Sequence, residues 1–504
     1  MRVLLVYPEY PDTFWGFKHA LKFVNKKAAF PPLGLLTVAG MLPHEHELKL
    51  VDLNTSKLKD RDIKWADMVF VSAMTVQKES AKKVIKKCKG LGATVVAGGP
   101  LFTVQYEEFP CVDHFVLNEA EVTLQPFLDD LKVGNAKRIY SSEIRPDIRL
   151  APVPTWDLIN SNKYSAMPIQ YSRGCPFDCE FCDIVVLNGR VPRTKSKEQM
   201  LHELDAIYKS GWRDSVFIVD DNFIGNKNKL KAEILPAIIE WMKVKHSPFS
   251  FFTQASINLA DDDELIELMV QAGFTMVFIG IESPSKESLA ECGKFQNEKM
   301  NMELAIKKLQ NSGLEVQGGF ILGFDSDPQS IFQDLINFVQ KSGVVTAMVG
   351  LLNAPNGTKL YKRLETENRI TGSFSGNNTD LAINFIPKMK FDTLIGGYRK
   401  VVDTLYSPKQ YYARVRTFLT EYRPKPQSIG KLKPKHYNAL FRSFWVLGVK
   451  EEGRGQFWRL VFWTMLKKPR VLPQSITMAI YGFHFRKIAR QYAGQLDLAN
   501  LHGI

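Results

Sequence analysis

"PIQYSRGCPFDCEFC" (Pro168–Cys182) carries a short apolar run into three cysteines, Cys175, Cys179 and Cys182. The 504-residue chain has only six cysteines, so half of them fall within eight positions. Six is too few for a disulfide-stapled extracellular protein, and pairing here would leave one thiol over. Tetrahedral structural zinc would need a fourth ligand. The next cysteine, Cys292, is far along the chain, and Asp183, directly after Cys182, is a poor candidate for closing such a site. An iron–sulfur cluster can use three thiolates when its fourth iron is kept for substrate, a variation on the usual four-cysteine set. Pro176, Phe177 and Phe181 give the loop apolar cover that lowers the local dielectric.

Outward from this stretch, apolar strands alternate with helical segments. "SVFIVDDNF" (215–223), "FSFFTQASI" (249–257), "MVFIGIESP" (276–284), "EVQGGFILGF" (315–324) and "VTAMVGLLNAPNG" (345–357) continue the series begun at 168. Helices such as 196–211, 262–273 and 301–313 intervene. Six βα units predict a partial (β/α)6 barrel over 168–374, with chemistry at the C-terminal strand ends. Upstream, "RVLLVYP" (2–8), "LKLVDLN" (48–54), "MVFVSAM" (68–74) and "ATVVAGGP" (93–100) predict a doubly wound, Rossmann-like parallel sheet over 1–135. Ligands bind such sheets beyond the strand ends, where Asp52, Ser72, Gly98, Gly99 and Pro100 fall. The proline-rich 136–167 reads as a connector, and "PKPQSIGKLKPKHY" (424–437) as a linker. Over 375–504 strand patterns give way to a mostly helical, basic, aromatic-rich domain.

Hydrophobic residues make up 45% of the chain, enough for buried cores. "MRVLLVYPEYPD" has no small-residue cleavage site and reads as a strand, not a signal peptide. No stretch reaches the ~18 apolar residues of a membrane span. The expected compartment is the cytoplasm. The net charge of +13 is confined to residues 401–504, which hold 18 of the 66 Lys and Arg but only 5 of the 53 Asp and Glu. An anionic partner would meet that region.

C-x3-C-x2-C after the first strand of a six-unit barrel resembles the signature of the radical S-adenosylmethionine enzymes. The resemblance implies that Cys175, Cys179 and Cys182 hold a [4Fe–4S] cluster whose fourth iron binds S-adenosylmethionine, which is cleaved to a hydrogen-abstracting radical. It implies further contacts to that cofactor. Asp221 in "DDNF" (220–223) would lie near the methionyl amino group, Glu282 and Ser283 in "IGIES" (279–283) near the ribose, and Gly319 and Gly323 in "GGFILGF" (318–324) beside adenine. "FPPLGLLTVAGML" (30–42), followed by "VDLN", "VSAMT" and "AGGP", resembles the cobalamin-binding domain of the cobalamin-dependent branch. Asp52-Leu53-Asn54 lacks the histidine that ligates cobalt in many such domains, which fits histidine-off cobalamin. "GRGQFWRLVFWTMLKKPRVLPQSITMAIYGFHFRKI" (453–488) resembles the tail of the family that includes hopanoid 2-methylases.

The resemblance implies methyl transfer to an unactivated carbon of an apolar substrate, a hopanoid or other lipid, with a one-electron reductant protein as partner. Formation of a ring or C–C bond, or methylation of RNA, are the alternatives. No nucleic-acid-binding motif accompanies the basic tail. Phe457, Trp458, Phe462 and Trp463 interleave there with Arg459, Lys467, Lys468 and Arg470, so an anionic membrane surface at the inner face is the expected contact.

Overall fold

A computed structural model describes residues 1–377, 381–424 and 434–501. Strands β1 (Arg2–Tyr7), β2 (Glu47–Asp52), β3 (Met68–Ser72), β4 (Val95–Gly98), β5 (His114–Val116) and β6 (Ile139–Tyr140) form one parallel sheet in the order β2-β1-β3-β4-β5-β6. Val3 to Val6 are all fully buried, as expected of a strand covered on both faces, so the segment reads as an unbroken apolar run. The chain order reverses between β1 and β3, the switch point where such sheets open a crevice. β5 and β6 are too short for the sequence pattern to show, and β6 comes from the expected connector.

A second sheet holds β7 (Met167–Ile169), β10 (Ser215–Ile218), β11 (Ser250–Ala255), β12 (Phe274–Glu282), β13 (Glu315–Leu322) and β14 (Ala347–Leu351), all parallel and in chain order from β7 to β14. The short antiparallel pair β8 (Ser172–Arg173) and β9 (Arg193–Thr194) brackets the cysteine loop. This is the six-unit open barrel that the sequence predicts. Its interior is not closed by the strands alone. Residues Phe14 to Phe30 leave the first sheet and enter the barrel, where Trp15 Nε1 donates to Met348 Sδ (3.0 Å) and Phe30 packs on Phe217 and Phe252.

The C-terminal helices, including Phe391–Tyr406, Pro408–Glu421, Pro434–Trp445, Arg454–Lys467 and Leu472–Leu501, cover the β14 edge. Tyr406 Oη donates to Ala347 O (2.5 Å), Tyr398 Oη to Val349 O (3.2 Å), and the fully buried Arg414 reaches Val345 O (3.3 Å). These bonds occupy a sheet edge that would otherwise template pairing. Phe14 stacks on Phe485 at 4.0 Å, so barrel, N-terminal segment and C-terminal helices share one core. The expected break at 375 is a change of composition, not of packing. Most of the expected linker, 425–433, lies outside the described residues; its end already forms the helix from Pro434.

Candidate active site between the two sheets

Gly174 introduces the cysteine loop with φ +98°, and a Cβ there would meet Gly189 O and Val191 O at 2.9 Å. Only glycine accepts that turn. Cys175 N then donates to Gly189 O (3.1 Å) and Cys182 N to Cys179 O (3.1 Å). The loop's acids are held by other elements. Asp178 accepts from Lys359 Nζ (2.5 Å), and Glu180 takes Arg363 Nε (2.7 Å) and Nη2 (3.1 Å). The thiols are left half-buried, with Cys182 lining the central cavity. Burial pushes all three thiols above their ordinary range, and the Lys294 charge beside them opposes it. Among the described residues, no three His, Cys, Asp or Glu side chains form a group that could hold a single metal ion. A cluster that takes one thiolate per iron does not need such convergence, and the donor set of three thiols under apolar cover fits it.

The strand ends around the loop carry the expected acids. Asp221 accepts from Gly174 N (3.2 Å) and Asn188 Nδ2 (2.9 Å), both on Oδ2, and lines the cavity. Asp220, completely buried, accepts from Tyr171 N (2.8 Å) and Ser172 Oγ (2.5 Å), and so fixes the backbone that leads into Cys175. Burial pushes its carboxyl up to about 7. Glu282 sits at a bulge in β12 with φ +67°, pairs with the half-buried Lys294 and also lines the cavity. Ser283 is fully buried and accepts from Ser285 N, away from the cavity. Gly319 lies mid-barrel, where its missing side chain makes room for the Phe278 ring. Gly323 packs on Leu352 and Leu394 instead of the cavity.

On the first sheet, Asp52 is consumed by structure. Asn54 N and Nδ2 donate to its Oδ1 (2.8 and 2.7 Å), and Tyr164 Oη donates to its Oδ2 (2.8 Å). A Cβ on Gly98 would meet Val116 O at 2.6 Å, and one on Gly99 would meet Ser72 Oγ at 2.5 Å. These glycines therefore allow close packing within the domain itself. Pro100, with Met74, Thr75, Val76 and Val104, turns toward the cavity. None of the residues that this sheet's domain gives to the cavity is a histidine; His436, which also lines it, comes from the helix Pro434–Trp445.

The cavity has a volume of about 1220 Å³ and runs from this face, past Cys182, Asp183 and Glu282, through the whole barrel. Phe217 and Phe252 stack at 4.7 Å and, with Phe30, Trp15, Phe278 and Met348, form its walls. These residues escaped the sequence reading. A strand buried on both faces is apolar on both, so nothing in its pattern marks which side looks inward.

The Radical SAM superfamily matches residues 169–339 and the B12 binding domain matches 24–128, while the domain of unknown function DUF4070 matches 358–497. An uncharacterized methyltransferase of Synechocystis sp. is 40% identical, over 98% of this chain and 94% of that protein. The hopanoid C-2 methylase of Rhodopseudomonas palustris is 31% identical, over 92% of this chain and 90% of that protein. The chain belongs to the cobalamin-dependent radical S-adenosylmethionine methyltransferases. Its cofactors are accordingly a [4Fe–4S] cluster, S-adenosylmethionine and cobalamin. The fold agrees. The cobalamin-dependent radical enzyme OxsB superposes with a TM-score of 0.64 at 15% identity, over 100% of this chain and 81% of that one. The methyltransferase TsrM of Kitasatospora setae superposes with 0.59 at 13% identity, over 91% of this chain and 98% of that one.

Proposed function

We propose that this methyltransferase adds a methyl group to an unactivated carbon of an elongated apolar molecule, a hopanoid or similar lipid. The observation that carries the reading is the aromatic-walled cavity leading away from Cys182 through the barrel. When bound, the cofactors supply the hydrogen-abstracting radical and the methyl group. The chain supplies position and dryness. Cys175, Cys179 and Cys182 would hold the cluster, with Asp221 and Glu282 beside it as acceptors for S-adenosylmethionine. Pro100 and the Met74–Val76 turn would face cobalamin from the opposite side. The stacked Phe217 and Phe252 wall the middle of the cavity and keep that stretch apolar. At about 0.8 kcal/mol per buried CH2, a polycyclic skeleton would bind such walls through area alone.

The outer surface supports a membrane-side location for the same enzyme. Phe441, Trp445, Phe462 and Leu466 are exposed on the helices Pro434–Trp445 and Arg454–Lys467, with Arg459, Lys467 and Arg470 also at the surface. Of the aromatics named from sequence, Phe457 is core and Trp458 is tied to Gly448 O (2.9 Å), while Lys468 donates to Thr420 O (2.6 Å). Among the described residues no helix is long and apolar enough to cross a membrane.

Anaerobic turnover with methyl-labelled S-adenosylmethionine, offered a lipid extract and tRNA in parallel, tests the function. Label in an apolar product one CH2 heavier than its precursor is expected. Label in RNA, or a cyclised product without label, would overturn it.

A further inference from the structure

The cavity does not end in apolar side chains. At its far end, on the N-terminal edge of the barrel, Glu315 opens β13 with only 4% of its surface exposed. Gln317 Nε2 donates to its Oε1 (3.3 Å) and Gln474 Nε2, from the long C-terminal helix, to its Oε2 (3.1 Å). Tyr422 and Tyr481 close the same end. Among the described ion pairs none takes Glu315. A carboxylate offers about four acceptor positions, and two amide donors leave the rest open. Each amide has also turned its donor to Glu315, so its own oxygen remains an acceptor. The second N–H of each amide stays a donor, so the cluster can both accept from and donate to a small polar group at the bottom of a largely apolar shaft. A buried carboxylate is costly unless it is well bonded, and Glu315 has one amide donor on each oxygen and no described ion-pair partner.

We propose that Glu315, Gln317 and Gln474 bind the hydrogen-bond-donating terminus, a hydroxyl or an amine, of an otherwise apolar substrate. This rests on the cavity being the substrate site. The geometry makes the cluster a ruler. Glu282 at the cluster end pairs in register with Phe320, five residues along β13 from Glu315. At ~3.3 Å per residue the two acids stand roughly 16 Å apart along the strand. Anchoring one end of a rigid skeleton at Glu315 therefore selects which carbon, at the other end, lies beside the thiol loop. Burial pushes the Glu315 carboxyl up and the two amide bonds counter it, so a donor from substrate adds to a bond set already in place.

The test uses the cofactor-loaded enzyme and three radiolabelled probes sharing one skeleton: a pentacyclic triterpene hydrocarbon, its terminal alcohol and its terminal amine. Equilibrium partitioning from detergent micelles measures binding. The alcohol or the amine should bind wild type at least tenfold more tightly than the hydrocarbon. Glu315→Leu should abolish that preference while keeping hydrocarbon affinity. Gln474→Leu, at a helix position, should reduce it without threatening the barrel. If all three probes bind wild type alike, or the preference survives both variants, the polar anchor is wrong while the apolar cavity reading stands. If none binds, the cavity reading falls and the anchor with it.

Discussion

Arg173 Nη1 lies 2.6 Å from Glu119 Oε2, and that bond ties the start of the cysteine loop to the cobalamin-binding domain. It belongs to a larger knot. Arg173 Nη2 reaches Glu121 Oε1 (2.8 Å), and Arg193, across the β8–β9 pair, grips both oxygens of Glu119 (2.7 and 2.8 Å). All four side chains are largely buried. Two arginines from one domain thus hold two glutamates at the start of a helix in the other, which fastens the thiol loop to the cobalamin-binding domain.

Removing one partner of such a buried network strands the others. Glu119→Ala should cost about 3 kcal/mol. Thermal unfolding of the cofactor-loaded enzyme should show the loss, and methyl transfer should fall further than S-adenosylmethionine cleavage, because cleavage needs only the barrel. Equal losses in both reactions would show that the knot does not set inter-domain geometry.

Asp220 makes stability depend on pH. Burial raises its carboxyl from 3.8 to about 7 despite the bonds from Tyr171 and Ser172. The folded state therefore holds a proton that the unfolded state has released. Stability is fully present below about 3.8 and declines as pH rises through about 7, at up to ~1.4 kcal/mol per pH unit. Urea unfolding of the cluster-free protein at pH 5 and 7.5 should show this decline, and Asp220→Asn should flatten it. An unchanged slope in the variant would place the titration elsewhere.

Single Cys175→Ala, Cys179→Ala and Cys182→Ala variants should each lose the brown chromophore and S-adenosylmethionine cleavage. Cys292 is the matching control. It is buried, donates weakly to Leu289 O (3.5 Å) and lies close to Cys179. Cys292→Ala should keep iron at the wild-type ratio, and iron loss there would make it part of the cluster site.

Gly99 adopts φ +90°, ψ −179°, a conformation essentially reserved for glycine. Gly99→Ala should cost about 1–3 kcal/mol through that strain, and Pro100→Trp, on the turn that lines the cavity, should block cobalamin uptake with iron content unchanged. Corrin absorbance and iron assay on the same preparation separate the two effects.

The exposed apolar side chains of the helices Pro434–Trp445 and Arg454–Lys467 predict binding to anionic vesicles that weakens with salt. Replacing Phe441, Trp445, Phe462 and Leu466 by Ser should abolish sedimentation with vesicles while leaving turnover of detergent-dispersed substrate intact. Sedimentation that survives the four substitutions would move the contact elsewhere.

The βα alternation, the six-unit barrel and the cysteine trio were legible in the chain because each is a local matter, whereas the three-residue β5 and two-residue β6 were not. Apolar runs of strand length, βα spacing and three thiols in one loop need no distant partner to be recognised. Tertiary structure decided what those elements enclose. Asp52, Ser72, Gly98 and Gly99 sit at strand ends as expected, yet the fold turns most of their atoms onto Asn54, Tyr164 and Val116, and offers Pro100 and the Met74 turn to the cavity instead. Trp15 and Phe30 became barrel wall, although they stand near the start of the chain, because an open sheet must be closed by something. Glu315 and Gln474 are 159 positions apart and meet only when the last helix crosses the bottom of the barrel. Sequence pattern records which faces are apolar. It holds no record of which buried faces meet, since side chains from both sides of a parallel strand face equal selection for burial and only packing separates cavity from core.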